Sequence, residues 1–208
     1  MIRFWNAFVK LTGWLPQLVC FRMRIRYENR KVQGCRIKGP AIIVSNHTAV
    51  YDFAAMLFVF FTRTLRYQIA ELQFGQNFVG WLVRALGGIR VDRFSSNMNF
   101  MLESEQILRK GGVVGIFPEG RLPRKGEEKP LEFKPGAAYL SMATGVRVIP
   151  VYMCGKYFSK ERIRVTVGTP IDPADYAQCA ASEKECIERY AQAMREKIIQ
   201  LEKMTHEQ

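Results

Sequence analysis

Three short runs of this chain are almost wholly apolar: AIIVS at 41–45, VVGIF at 113–117 and the body of RVIPVYM at 147–153. A strand with one wet face alternates in polarity, whereas a strand covered on both faces stays apolar along its length. Each run is too short for a buried helix and is bounded by turn-forming or polar residues. Strands of this kind need helices on both sides, and the intervening chain supplies them. An apolar helix runs to Phe61, and helices over 77–86 and 97–110 are stopped by Gly87-Gly88 and Gly111-Gly112. Pro135 opens another through residue 144. Ser182 with Glu185 forms a capping box for the last helix, where Ile187, Tyr190, Ala191, Met194, Ile198 and Leu201 make a core-facing stripe. Further strands fall at 65–70 and 89–91, with a half-exposed edge strand at 162–167 and a mobile polar loop at 123–132. The alternation predicts an α/β fold: a mostly parallel sheet flanked by helices.

The N-terminus has a different character. The formal net charge is +12, and residues 1–38 carry nine Lys or Arg against the single acid Glu28. An anionic partner follows from that excess. Phe4, Phe8, Leu11, Leu15 and Leu18 recur at helical spacing beside Arg22, Arg24 and Arg26. This pattern suits an amphipathic helix lying on an anionic membrane surface, or a first helix packed on the core. The stretch 4–21 has 18 residues interrupted by Lys10 and Pro16, short of the roughly 20 apolar residues a spanning helix needs. We therefore divide the chain into a basic membrane-associating segment, 1–30, and an α/β domain, 31–208, and expect peripheral attachment at the cytoplasmic face. Nucleic acid is not expected, because the basic residues accompany an amphipathic helix rather than a folded basic face. Five cysteines without a C-x-x-C pair favour neither a disulfide framework nor a zinc site.

Three constellations follow apolar strands, where α/β folds bind ligands. In Asn46-His47-Thr48-Ala49-Val50-Tyr51-Asp52, Asp52 lies in the first turn of a helix. From there it can reach one nitrogen of His47, fixing the tautomer and leaving the other nitrogen for substrate. By themselves these residues fit a catalytic pair and a structural loop equally well. Phe117-Pro118-Glu119-Gly120-Arg121 offers a carboxylate and a glycine at a strand end, or simply a tight turn. Gly87 to Arg93 offers two arginines, whose planar forks suit phosphate, or a solvated turn.

Taken together, the blocks closely resemble the lysophospholipid and glycerol-phosphate acyltransferase family. N-H-x-x-x-x-D matches Asn46-His47 through Asp52, and Gly88 through Val91-Asp92-Arg93 matches a second block. Phe117–Gly120 matches F-P-E-G, and Val148–Val151 matches V-(I/V)-P-V. Phe133-Lys134-Pro135-Gly136-Ala137 is similar to the F-K-x-G-A segment between the last two. The resemblance covers residues 30–172. It implies acyl transfer to lysophosphatidic acid, with His47 as general base, Asp52 orienting it, and Asn46, Arg93, Glu119, Gly120 and Arg121 contacting substrate. It implies no metal or bound organic cofactor. The co-substrate would be an acyl thioester of coenzyme A or acyl carrier protein. Two departures touch phosphate recognition: Arg121 stands one position earlier than the family's usual arginine, and Glu71 lies where a lysine is common. Other lysophospholipid or lipid-linked acceptors stay open, as does a non-catalytic basic membrane-binding module.

Overall fold

The computed structural model describes residues 1–92, 98–177 and 182–207. Two short helices, α1 (Ile2–Thr12) and α2 (Trp14–Cys20), lead into strand β1 (Arg24–Tyr27). Then come β2 (Ala41–Ser45), α3 (Asp52–Val59), β3 (Leu65–Ala70), α4 (Glu71–Phe74), α5 (Asn77–Ala85) and β4 (Ile89–Val91). The chain continues through α6 (Asn99–Arg109), β5 (Val113–Ile116), α7 (Gly136–Thr144), β6 (Val148–Cys154), β7 (Arg164–Val167), α8 (Ala174–Ala177) and α9 (Glu183–His206).

Among the described residues the strands form one seven-stranded sheet in the order β1-β7-β6-β2-β5-β3-β4. Only β6 and β7 pair antiparallel; the other neighbours are parallel. The all-apolar runs occupy its centre: β2 lies between β5 and β6, and all five of its residues are buried. Successive side chains of a strand enter opposite faces. Ile43 accordingly joins a core with Met56, Phe60, Tyr67 and Phe21, while Ile42 and Val44 join one with Leu108, Leu140, Tyr190 and Ile198. The helices thus flank the sheet on both sides, as expected. The capping box at Ser182 forms, and the stripe of α9 is buried from Tyr190 to Leu201.

Three expectations need correction. The strand at 162–167 is shorter, Arg164–Val167, and is not an edge, because β1 pairs outside it. Of its polar residues Arg164 is half-buried, and Thr166 is buried with its hydroxyl 2.7 Å from that of Thr205; a four-residue strand of Arg24-Ile25-Arg26-Tyr27 is masked in sequence by the surrounding basic cluster. The sheet consequently begins at residue 24, with β1. The loop 123–132 is tied down: Arg195 donates to the carbonyls of Pro130 and Leu131, and Glu127 accepts from Arg121 and the Arg124 N–H. Cys20, Cys35 and Cys154 are free thiols, but Cys186 is held in a disulfide that the cysteine count did not anticipate.

The N-terminal helices are inside out. Asn6, Lys10 and Gln17 are buried, whereas Phe4, Phe8, Leu11, Leu15 and Leu18 are exposed, Leu11 by 76%. Two of these buried polar groups, Lys10 and Asn6, cap other helices. Lys10 Nζ donates to the carbonyls of Phe60, Phe61 and Arg63 beyond α3, and Asn6 Nδ2 donates to Leu86 O at 3.0 Å beyond α5. A cation suits the carbonyls left without partners at a helix C-terminus. Among the described residues, no helix is long and apolar enough to cross a membrane.

Burial pulls the Lys10 ammonium down from its ordinary 10.5 to about 8. An unfolded chain keeps that proton to the ordinary value, so between the two the unfolded state binds more protons. Folding stability from this group then rises with pH across the window. The melting temperature of the wild type relative to Lys10→Met should therefore increase from about pH 7.5 to about pH 10. Parallel melting curves across that range would show that the amine does not titrate in a buried seat.

Candidate active site

Parallel strands end on the same edge of a sheet, so the loops after β2 and β5 come together. His47 follows β2 by two residues and Glu119 follows β5 by three. Two side chains shape the first loop. Asn46 is buried, and its amide accepts from Met153 N and donates to Met153 O, both at 2.8 Å, continuing the pairing with β6 beyond the strand. Glu119, 4% exposed, accepts from the backbone N–H of His47 at 2.8 Å and of Leu131 at 3.1 Å. Burial raises the Glu119 pKa against the pull of those two hydrogen bonds.

Asp52 has no exposed surface. Oδ2 accepts from His47 Nδ1 at 2.9 Å and from the backbone N–H groups of Thr48 and Ala49 at 2.6 and 2.9 Å. Oδ1 accepts from the Thr48 hydroxyl at 3.1 Å and from the Tyr157 hydroxyl at 2.7 Å. It also sits in the first turn of α3, where the helix dipole favours a negative charge. With Nδ1–H directed at the carboxylate, His47 keeps Nε2 as its free basic nitrogen. The ring stacks on Phe117, centroids 4.2 Å apart, and Phe117 in turn stacks on Tyr67. Tyr67 lies across β5 only because residue 115 is glycine: a Cβ there would stand 2.2 Å from its ring.

His47 opens onto a cavity of about 590 Å³ whose wall includes Val83, Met98, Met101, Phe117 and Ala137. Of the residues expected at substrate, His47, Gly120 and Arg121 line it; Asn46 and Glu119 stand behind, shaping the loop instead. Arg93 lies outside the described residues. Gly120 closes a turn onto Phe117 O at φ +71°, a conformation that suits glycine. Arg121 makes a forked pair with Glu127, at 2.7 and 2.9 Å, and pulls that carboxylate down to about 2. Glu71, where the resemblance led to a lysine, pairs with Arg90.

Two residues of the site were missed in the sequence reading. Lys134 lies against Gly120, its Nζ 3.1 Å from where a Cβ would stand, and lines the cavity without a carboxylate partner among the described residues. The segment around it is tied to the turn by Lys134 N donating to Pro118 O at 2.9 Å. Its position in the F-K-x-G-A segment was a usable signal. Tyr157, beyond the last matching block, carried none. No group of three or more His, Cys, Asp or Glu side chains among the described residues is placed to hold a metal ion.

A profile of the Acyltransferase family matches residues 24–154. The chain is 31% identical over 147 residues to the 1-acyl-sn-glycerol-3-phosphate acyltransferase beta of Homo sapiens, covering 69% of this chain and 51% of that protein. It is 28% identical over 175 residues to the 1-acyl-sn-glycerol-3-phosphate acyltransferase of Pseudomonas aeruginosa, covering 79% and 64%. The chain thus spans between half and two thirds of the length of these relatives. The crystal structure of the Thermotoga maritima 1-acyl-sn-glycerophosphate (LPA) acyltransferase, PlsC, superposes with a TM-score of 0.68 at 20% identity, over 98% of this chain and 79% of that one, and shares its fold. The matched span contains the His47–Asp52 pair, the turn at Glu119 and strands β1 to β6, and with it the chain belongs to the acyltransferase family.

Proposed function

We propose that this protein transfers a fatty acyl group from a thioester to the free hydroxyl of lysophosphatidic acid, giving phosphatidic acid. The observation that carries the reading is a histidine backed by a fully buried aspartate at the mouth of a largely apolar cavity. His47 Nε2 takes the proton of the acceptor hydroxyl as its oxygen attacks the thioester carbonyl. The C–S bond then breaks, and the leaving thiolate recovers that proton from the imidazolium. Asp52 holds the ring and stabilises its charged form. The names of the curated relatives support the acceptor. The donor is a thioester of coenzyme A or of acyl carrier protein, and either would be consumed by the same chemistry.

The substrate is a lipid, and the outer surface is suited to meeting it at a membrane. Phe4, Phe8, Leu11, Leu15 and Leu18 face outward, and the face extends through Trp5 to Trp81 and Phe78. Burying a single such side chain is worth about 1.5–3 kcal/mol, so leaving all of them in water is a strong drive toward an apolar phase. The arginines at 22, 24 and 26 add attraction to anionic headgroups. For the acceptor's phosphate, Arg121 and Lys134 line the cavity beside Gly120. Arg121 would exchange Glu127 for phosphate.

Replacing His47 by Ala should reduce turnover by about 10²–10⁴-fold with the fold unchanged, and Asp52→Asn should lower it less. Product analysis by mass spectrometry with a panel of lyso-acceptors checks this; turnover of His47→Ala within a few-fold of wild type would end the reading. Leu11→Ser with Leu15→Ser touches nothing inside the protein and should cut co-sedimentation with anionic vesicles; unchanged binding would place the membrane contact elsewhere. For phosphate, Arg121→Ala and Lys134→Ala should each raise KM for lysophosphatidic acid about 10-fold or more. Losses under about three-fold in both would favour an acceptor without a phosphate monoester.

A further inference from the structure

Tyr157 lies outside every motif that marks this chain, yet its hydroxyl makes the shortest side-chain contact to the Asp52 carboxylate, 2.7 Å. We propose that Tyr157 is a positioning residue for the acyl transfer: it pins Asp52 Oδ1 so that Oδ2 stays aligned with His47. Without it, Oδ1 would keep only the Thr48 hydroxyl at 3.1 Å. A fully buried carboxylate with a vacant lone pair is less well solvated and less firmly held against rotation about its Cβ–Cγ bond.

The ring is seated from the N-terminal side. Phe21, which ends α2, meets it edge-on with centroids 5.2 Å apart, and Tyr51 approaches from the start of α3 at 5.7 Å. Backbone bonds fasten the segment to the same place: Phe158 N donates to Cys20 O at 3.0 Å, and Arg22 donates to Lys160 O at 3.0 Å. Phe158 holds a φ of +56°, a conformation bulky residues rarely adopt without surrounding constraint. Such a seat fixes where the hydroxyl points.

The sign of its effect follows from charge. The hydroxyl proton disperses the negative charge of Asp52. Removing it leaves that buried charge with fewer donors, so the carboxylate is held less firmly toward His47 Nδ1. Among the described residues, Glu119, on the backbone N–H of His47, and the buried hydroxyl of Tyr67, near Asp52, also stand beside the pair. A change of Tyr157 leaves both in place.

The inference rests on His47 acting as the base, so His47→Ala and Tyr157→Phe are assayed side by side. The acceptor is detergent-dispersed lysophosphatidic acid, with whichever thioester the wild type turns over. Tyr157→Phe keeps the ring in its seat and removes only the hydroxyl. We expect kcat to fall about 5- to 50-fold and KM for both substrates to stay within about two-fold. If His47→Ala is inactive while Tyr157→Phe keeps kcat within about two-fold, Tyr157 is packing only and the base reading stands. A change confined to KM overturns the positioning role as well. Persistent turnover in His47→Ala overturns both.

Discussion

A carboxylate without solvent exposure persists as an anion only where enough donors replace its water, and Asp52 is that group here. Its five donors come from the first part of the loop after β2 and from the segment after β6. The two backbone N–H groups wrap the loop around it, and the helix that begins at Asp52 adds its dipole. Geometry at His47 is therefore a by-product of solvating one buried charge. The imidazole cannot turn its other nitrogen inward without leaving the carboxylate unpaired at that lone pair.

The remaining buried polar groups of the site serve the same loop from the other side. Asn46 extends the β2–β6 pairing by one step through its amide, and Glu119 takes the N–H of His47 across the gap between β2 and β5. Both depend on parallel neighbours ending at one edge, which is a property of the sheet order and not of either loop. That explains why residues expected to touch substrate stand behind the cavity wall. A buried carboxylate holding two backbone N–H groups has little capacity left for a ligand.

The N-terminal helices show the same economy in reverse. Lys10 and Asn6 point inward because the C-terminal carbonyls of α3 and α5 need donors, and this turns the apolar stripe outward. Phe21 then closes the pair against the core, beside Tyr157. One short element thus faces both a prospective lipid phase and the ring that carries a hydroxyl to Asp52.

Local chemistry determined a great deal of this protein. Continuous apolar runs marked β2, β5 and β6 because strands covered on both faces have no wet side to record. The capping box at Ser182 and the five-residue step from His47 to Asp52 were legible because their partners lie within a turn or two. Strand β1 was not, since Arg24-Ile25-Arg26-Tyr27 has too little pattern to outweigh its charge, and only pairing with β7 makes it a strand. The direction of the N-terminal stripe, the backing roles of Asn46 and Glu119, and the hydroxyl of Tyr157 were decided by tertiary structure alone. The contacts of Asn46, Glu119, Tyr157 and Lys10 join residues roughly 50 to 110 positions apart, and a sequence carries no local trace of which distant donor a buried acceptor will find.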